Sequence, residues 1–178
     1  MIRALSLTLS VLLPLATLAV YLWLVLGPAR ELVILAEGLP PPDLRFMGYD
    51  LPEMRAWMLA LPPEGAQLYI DTAATLDTVF PVLMGLTLLW WSRPVPTVPG
   101  WLFPAICAAA AMAYTALDLA ENAAVSAMLR AGAFGTETAQ VVVASNLTQA
   151  KFAALVLALV LAARQSWRRW RLRDVQSG

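Results

Sequence analysis

Between Arg3 and Arg30 the chain carries no charged residue, and that gap constrains the fold more than any other feature. The apolar part of the run, residues 4–26, is 23 residues long. At about 1.5 Å rise per residue, a helix of that length crosses the roughly 30 Å hydrocarbon core of a bilayer. Three further apolar runs follow, over about 68–91, 101–129 and 137–163. Trp90-Trp91 and Trp101 stand at the ends of two of them, where indole rings favour the membrane–water interface. The sequence therefore predicts an all-α fold, an integral membrane bundle of four transmembrane helices. Composition agrees, with 60% hydrophobic residues and only 13% charged. A soluble domain carries about 25% charged residues, and 178 residues are too few to bury this much apolar surface away from water.

The first run reads as a retained signal anchor. It is longer than the roughly 7–15-residue core of a cleaved leader, and no small-x-small site follows it. Residues 1–163 then form the four-helix domain, with a long outer loop over 27–67 and a basic tail over 164–178. The loop contains Pro28, Pro40-Pro41-Pro42, Pro52, Pro62 and Pro63, which exclude long helices there. A short amphipathic helix is expected from Pro52 to Leu61, with Met54, Trp57, Met58 and Leu61 on one face. That face suits either the membrane surface or the end of the bundle itself. A tight Pro-rich connection is expected over 92–100, and a turn over 130–136. Lys and Arg counts set the orientation. Arg3, Arg93, Arg164, Arg168, Arg169, Arg171 and Arg173 fall on one side, and Arg30, Arg45, Arg55 and Arg130 on the other. Both termini are thus expected to be cytoplasmic, in a multi-pass protein of a bacterial inner membrane. The tail arginines, with Trp167 and Trp170, fit this rule or an anionic lipid surface.

Several chemistries are excluded. There is no histidine, which removes His-ligated haem and His-dependent acid–base catalysis. With a single cysteine, Cys107, neither a disulfide within the chain nor a structural zinc site is expected. No metal and no cofactor is called for, and the net charge of zero argues against a nucleic-acid partner.

The remaining signal is a set of polar residues inside the apolar runs. Asp77 lies in the second, Asp118, Glu121 and Asn122 in the third, and Ser145, Thr148 and Lys151 in the fourth. A charge at the bilayer centre costs at least about 2.5–3.5 kcal/mol, so such residues face inward and pair. Helical spacing gathers Tyr69, Ala73, Asp77 and Pro81 into one stripe, Tyr114, Asp118, Glu121 and Asn122 into a second, and Ser145, Thr148 and Lys151 into a third. The expected assembly is a cluster in the outer half of the membrane where Lys151 meets Asp77 and Asp118. Tyr69, Tyr114, Asn122 and Thr148 would supply the remaining hydrogen bonds. Three carboxyls then face one lysine. Two charges are left over unless water reaches Glu121 from outside or a carboxyl keeps its proton.

These residues, Tyr69…Asp77 with Phe80-Pro81, Asp118-x-x-Glu121-Asn122 and Thr148-x-x-Lys151, resemble an uncharacterised family of small bacterial four-span membrane proteins. The resemblance covers about residues 48–163 and implies the topology and the polar cluster, but brings no activity. The functional expectation is a cavity that binds a small ligand or lipid headgroup, or relays an ion, with membrane lipids as surroundings. Two alternatives stand beside it. One is an accessory subunit packed against partner membrane subunits or its own copies. The other is a His-independent lipid enzyme using Asp77, Asp118 or Glu121. Reporter domains fused after Gly178 and within residues 40–42 should report opposite compartments; agreement between them would refute the four-span topology.

Overall fold

The computed structural model describes residues 2–94 and 100–177, with side chains from 8 to 94 and from 100 to 172. The connection expected over 92–100 falls largely on 95–99, outside the described residues, as do the side chains of Arg3 and Arg173. All regular structure among the described residues is helical. The chain runs through α1 (Ile2–Leu24), α2 (Arg30–Leu35), α3 (Leu51–Ala60), α4 (Pro63–Ala74), α5 (Leu76–Ser92), α6 (Leu102–Ala131) and α7 (Thr138–Ser177). Four helical stretches, Thr8–Leu35, Pro63–Ser92, Leu102–Ala131 and Thr138–Leu172, are long and apolar enough to cross a membrane. Their outward faces are apolar as well. Leu12, Trp23, Val156 and Val160 are each more than half exposed, as expected of a bundle whose solvent is hydrocarbon.

Three boundaries differ from the sequence reading, each for a backbone reason. The first stretch does not stop at Leu26. A π turn over Val25–Ala29, containing Pro28, joins α1 to α2 without a break. Proline has no N–H to give its i−4 carbonyl, and a widened turn absorbs that loss. The second stretch begins at Pro63, not Leu68. Pro62 is extended and Pro63 opens α4, where its fixed φ suits the first helical position and its missing N–H costs nothing. The fourth does not end at Ala163, because α7 continues as one helix of 40 residues through the basic tail.

The bundle is built as a sequence of neighbours. α1 lies on α5, α5 on α6, and α6 on α7, the most extensive interface; α5 also reaches α7. Close approach of α5 to α6 depends on Gly85, since a Cβ there would run into the Thr115 hydroxyl. That hydroxyl donates to the carbonyl of Pro81, 3.0 Å away. The α1–α5 seam is held by Thr17 and Thr87, whose hydroxyls are 2.9 Å apart, and by Trp90 Nε1 donating to Ser10 Oγ at 3.0 Å. At the end bearing the chain termini, α7 docks on the last turn of α5. Arg169 donates to the carbonyls of Trp91 and Arg93, and Gln165 Nε2 to that of Arg93. Cations there satisfy orphan carbonyls and oppose the helix dipole, so Arg169 has a structural partner within the fold.

The opposite end is closed by residues 36–62. α3 forms as expected, with Asp50 and Glu53 making a reciprocal capping box, which satisfies two otherwise orphaned N–H groups. Its stripe faces the bundle rather than a membrane surface. Trp57 and Met54 are almost wholly buried and share a core with Leu32, Tyr69, Val125, Met128 and Val141. Arg55 pins α3 to the α6–α7 turn, donating to the carbonyls of Ala133 (3.0 Å) and Thr136 (3.2 Å). Before α3, Tyr49 N donates to Ser145 Oγ at 2.9 Å. Gly48, at φ +86°, sits where any Cβ would strike Ser145 and Gln149, so position 48 requires glycine for both conformation and space. The closing segment is thereby clamped to α7.

Candidate functional site

Beneath that cap, Lys151 of α7 reaches toward α6. Its Nζ is 2.8 Å from Asp118 Oδ1 and also contacts Glu121 Oε2. Thr148, one turn before Lys151, donates from its hydroxyl to Glu121 Oε1 and back to the Ala144 carbonyl. All four residues are buried, and Glu121 is fully so. The i, i+3 spacing of Asp118 and Glu121 on α6, and of Thr148 and Lys151 on α7, puts each pair on the facing side of its helix. One ammonium thus lies between two carboxylates, with the Thr148 hydroxyl on the second.

This arrangement departs from the expected one in two ways. Lys151 takes Glu121 as its second partner rather than Asp77. Glu121, expected to face water at the loop end, is instead fully buried. The reach of a loop over the bundle was absent from a reading made helix by helix.

Asp77 stands at a discontinuity. Thr75, with φ −119° and ψ −94°, breaks the second stretch between α4 and α5. Its hydroxyl donates to the Asp71 carbonyl at 2.7 Å, and the Thr78 hydroxyl to that of Ala73 at 2.7 Å. Threonine side chains thus serve carbonyls that lose helical partners at the break. Asp77 falls in the first turn of α5, where a carboxylate is favoured by the helix dipole. Four residues on, Pro81 has no N–H to give the Asp77 carbonyl. Asn122 Nδ2 supplies the missing donor at 2.9 Å.

Tyr69 and Tyr114 are both buried. Tyr69 packs edge-on against Trp57, with ring centroids 5.8 Å apart, and its hydroxyl has no hydrogen-bond partner. Two residues missed by the sequence reading belong to the same site. Asp43 is carried in by a short 3-10 turn over Pro42–Leu44 that packs on α6 and α7, and its Oδ1 is buried without a partner. Tyr49 is buried beside it, clamped through its backbone to Ser145. Burial pushes the Asp43 carboxyl above the ordinary carboxylate range; Lys151 pulls it down, and Asp118 adds a smaller push upward. Burial likewise raises the Tyr49 hydroxyl.

Asp43, Asp77, Asp118, Lys151, Tyr69 and Tyr114 form one end of a groove of about 490 Å³, within the range of roughly 300–1,000 Å³ typical of small-molecule sites. The groove lies where α1 and α7, which share no extensive contact, diverge on either side of α5. Its other walls are apolar, with Pro14, Leu18, Phe80, Met84, Leu155 and Leu159. Leu18 and Tyr21 on its α1 wall are nearly half exposed, so the groove opens sideways. Among the described residues no cluster of His, Cys, Asp or Glu is arranged to hold a metal ion. Compared with protein-family models, curated proteins and solved structures, the chain matches none.

Two outcomes follow. Lys151→Met should destabilise the protein by about 3–5 kcal/mol, the cost of stranding buried charge. Adding Glu121→Gln should recover more of that loss than adding Asp77→Asn. Double-mutant cycles on thermal unfolding in detergent measure this, and equal or greater rescue by Asp77→Asn would overturn the pairing. For Asp43, which faces Lys151, Asp118, Asp77 and Glu121, the folded-state pKa exceeds the unfolded one. Its contribution to stability is therefore present at low pH and is lost as pH rises from the ordinary carboxylate range through the raised value. Asp43→Asn should flatten that fall, leaving the variant at least as stable as the parent at neutral pH; a variant less stable at neutral pH would show that the ionised carboxylate is needed.

Proposed function

We propose that this protein is a multi-pass protein of a bacterial inner membrane, with both termini cytoplasmic, that holds an amphipathic small molecule or lipid. The ligand's polar headgroup lies at the Lys151 cluster and its apolar part in the groove. One observation carries the reading: a sideways-opening groove whose apolar walls lead to a buried charged end. A site with that polarity gradient is complementary to an amphiphile, since apolar burial supplies affinity and a few polar groups fix orientation. The excess of arginines at the end bearing the termini supports the orientation, and the resemblance of Asp118-x-x-Glu121-Asn122 and its companions to small bacterial four-span proteins supports the setting. A bound headgroup fits better than an ion path, because beyond the charged end the groove walls lack polar side chains along most of their length.

The full chain, purified in a non-ionic detergent and examined by native mass spectrometry, should retain a bound amphiphile. Leu18→Trp and Leu155→Trp each place an indole in the groove and should abolish that retention while leaving helicity and thermal unfolding within about 1–3 kcal/mol of the parent. An amphiphile retained equally by the parent and both variants would place it elsewhere, and the reading would fall.

A further inference from the structure

The charged end of the groove is unbalanced. Four carboxyl groups, Asp43, Asp77, Asp118 and Glu121, gather around one ammonium, and Lys151 is the only basic residue on the groove wall. That ammonium is already held by Asp118 and Glu121. Asp43 and Asp77 have no salt-bridge partner among the described residues, and both line the groove. Two further atoms await a partner there. Asp43 Oδ1 is buried and unpaired, and the Tyr69 hydroxyl is unpaired in a residue 3% exposed on the same wall. Buried acceptors without donors are uncommon, because each forfeits its hydration.

What completes such a site is a cationic donor. A second lysine is absent, and water offers no positive charge to offset Asp43 and Asp77. A protonated amine has three N–H groups, enough for two carboxylates and the phenol oxygen. The rings of Tyr69 and Tyr114 stand on the same wall, and aromatic faces attract ammonium groups. The apolar arm sets the rest of the ligand. From Asp77 to Trp91, both on the wall, α5 rises about 21 Å. That distance exceeds half of the roughly 30 Å hydrocarbon core, the depth of one leaflet. We infer that the groove selects a single-chain amphiphile with a cationic amine headgroup, its nitrogen between Asp43, Asp77 and Tyr69 and its chain running along α5 toward Trp91. The inference rests on the amphiphile reading above and narrows it to one headgroup charge.

Its test is a series of equal chain length and changing charge: hexadecylamine, hexadecyltrimethylammonium, hexadecanol and hexadecanoate, titrated onto the full chain in non-ionic detergent near neutral pH. Hexadecylamine should bind at least about tenfold tighter than the alcohol, the worth of one charge-assisted hydrogen bond; hexadecyltrimethylammonium, which keeps the charge but has no N–H to donate, should fall between them, and hexadecanoate should bind weakest. Asp77→Asn and Asp43→Asn should each weaken the amine about tenfold and leave the alcohol unchanged, which also shows that the groove is intact. Leu18→Trp should weaken all members alike. If the alcohol matches the cations, or the acid binds best, the headgroup inference is wrong while the amphiphile reading stands. If no member binds the parent, both fall.

Discussion

A lysine placed among apolar helices must find its counter-charge within the protein, and the position of Lys151 organises the bundle around that need. Its two partners sit one turn apart on α6, and Thr148 reaches the second of them, so α6 and α7 are fixed against each other in rotation and in height. A slip of either helix by one residue would separate ammonium from carboxylates by about 100° of helical rotation. The α6–α7 interface is the most extensive in the molecule, yet small apolar contacts alone tolerate such slips. Buried polar groups in apolar surroundings have precedent for selecting one register.

Around this fixed pair, the remaining elements divide into a rigid part and an open part. α3, clamped by Arg55 and by its buried Trp57, closes one end. The tail of α7 closes the other by capping α5. α1 packs along α5, with polar contacts at Thr17–Thr87 and Ser10–Trp90 and with Tyr21 beside Phe80. The groove lies where α1 touches α5 but makes no extensive contact with α7. The site thus has a charged floor fixed between α6 and α7 and an α1 wall whose outer side chains are partly exposed.

How much of this the sequence carried can be argued residue by residue. The four spans were legible because charge-free length is a demand of the bilayer itself. α3 was legible because Met54, Trp57, Met58 and Leu61 share a helical face after Pro52. The Lys151–Asp118 contact followed from spacing on two helices. Glu121 was read either as hydrated or as part of a set in which a carboxyl keeps its proton, and its full burial against α7 was not legible, because no local pattern announces which segments pack together. Asp43 and Tyr49 were missed for the same reason: a charged residue after three prolines looks like any surface loop. The adjacent Gly48 was the available hint, since a glycine at φ +86° marks a place where the backbone must come close to something. Asn122 was expected to supply a hydrogen bond to the polar cluster; its partner is the Asp77 carbonyl, which Pro81, four positions on, already indicated as in want of a donor.

The short turn between α6 and α7 has a consequence for biosynthesis. Asp118 and Glu121 leave the ribosome before Lys151, and fewer than ten residues separate the two helices. When the lysine-bearing helix meets the lipid, its counter-ions are already present on the helix beside it. The pair can then enter as a hairpin whose charges compensate one another, and neither helix has to cross alone with an unmatched charge. Lengthening this turn would separate the two insertion events and disturb the carbonyls to which Arg55 is pinned. The chain order of acid before base, joined by a tight turn, makes α6 the natural escort of α7 into the membrane.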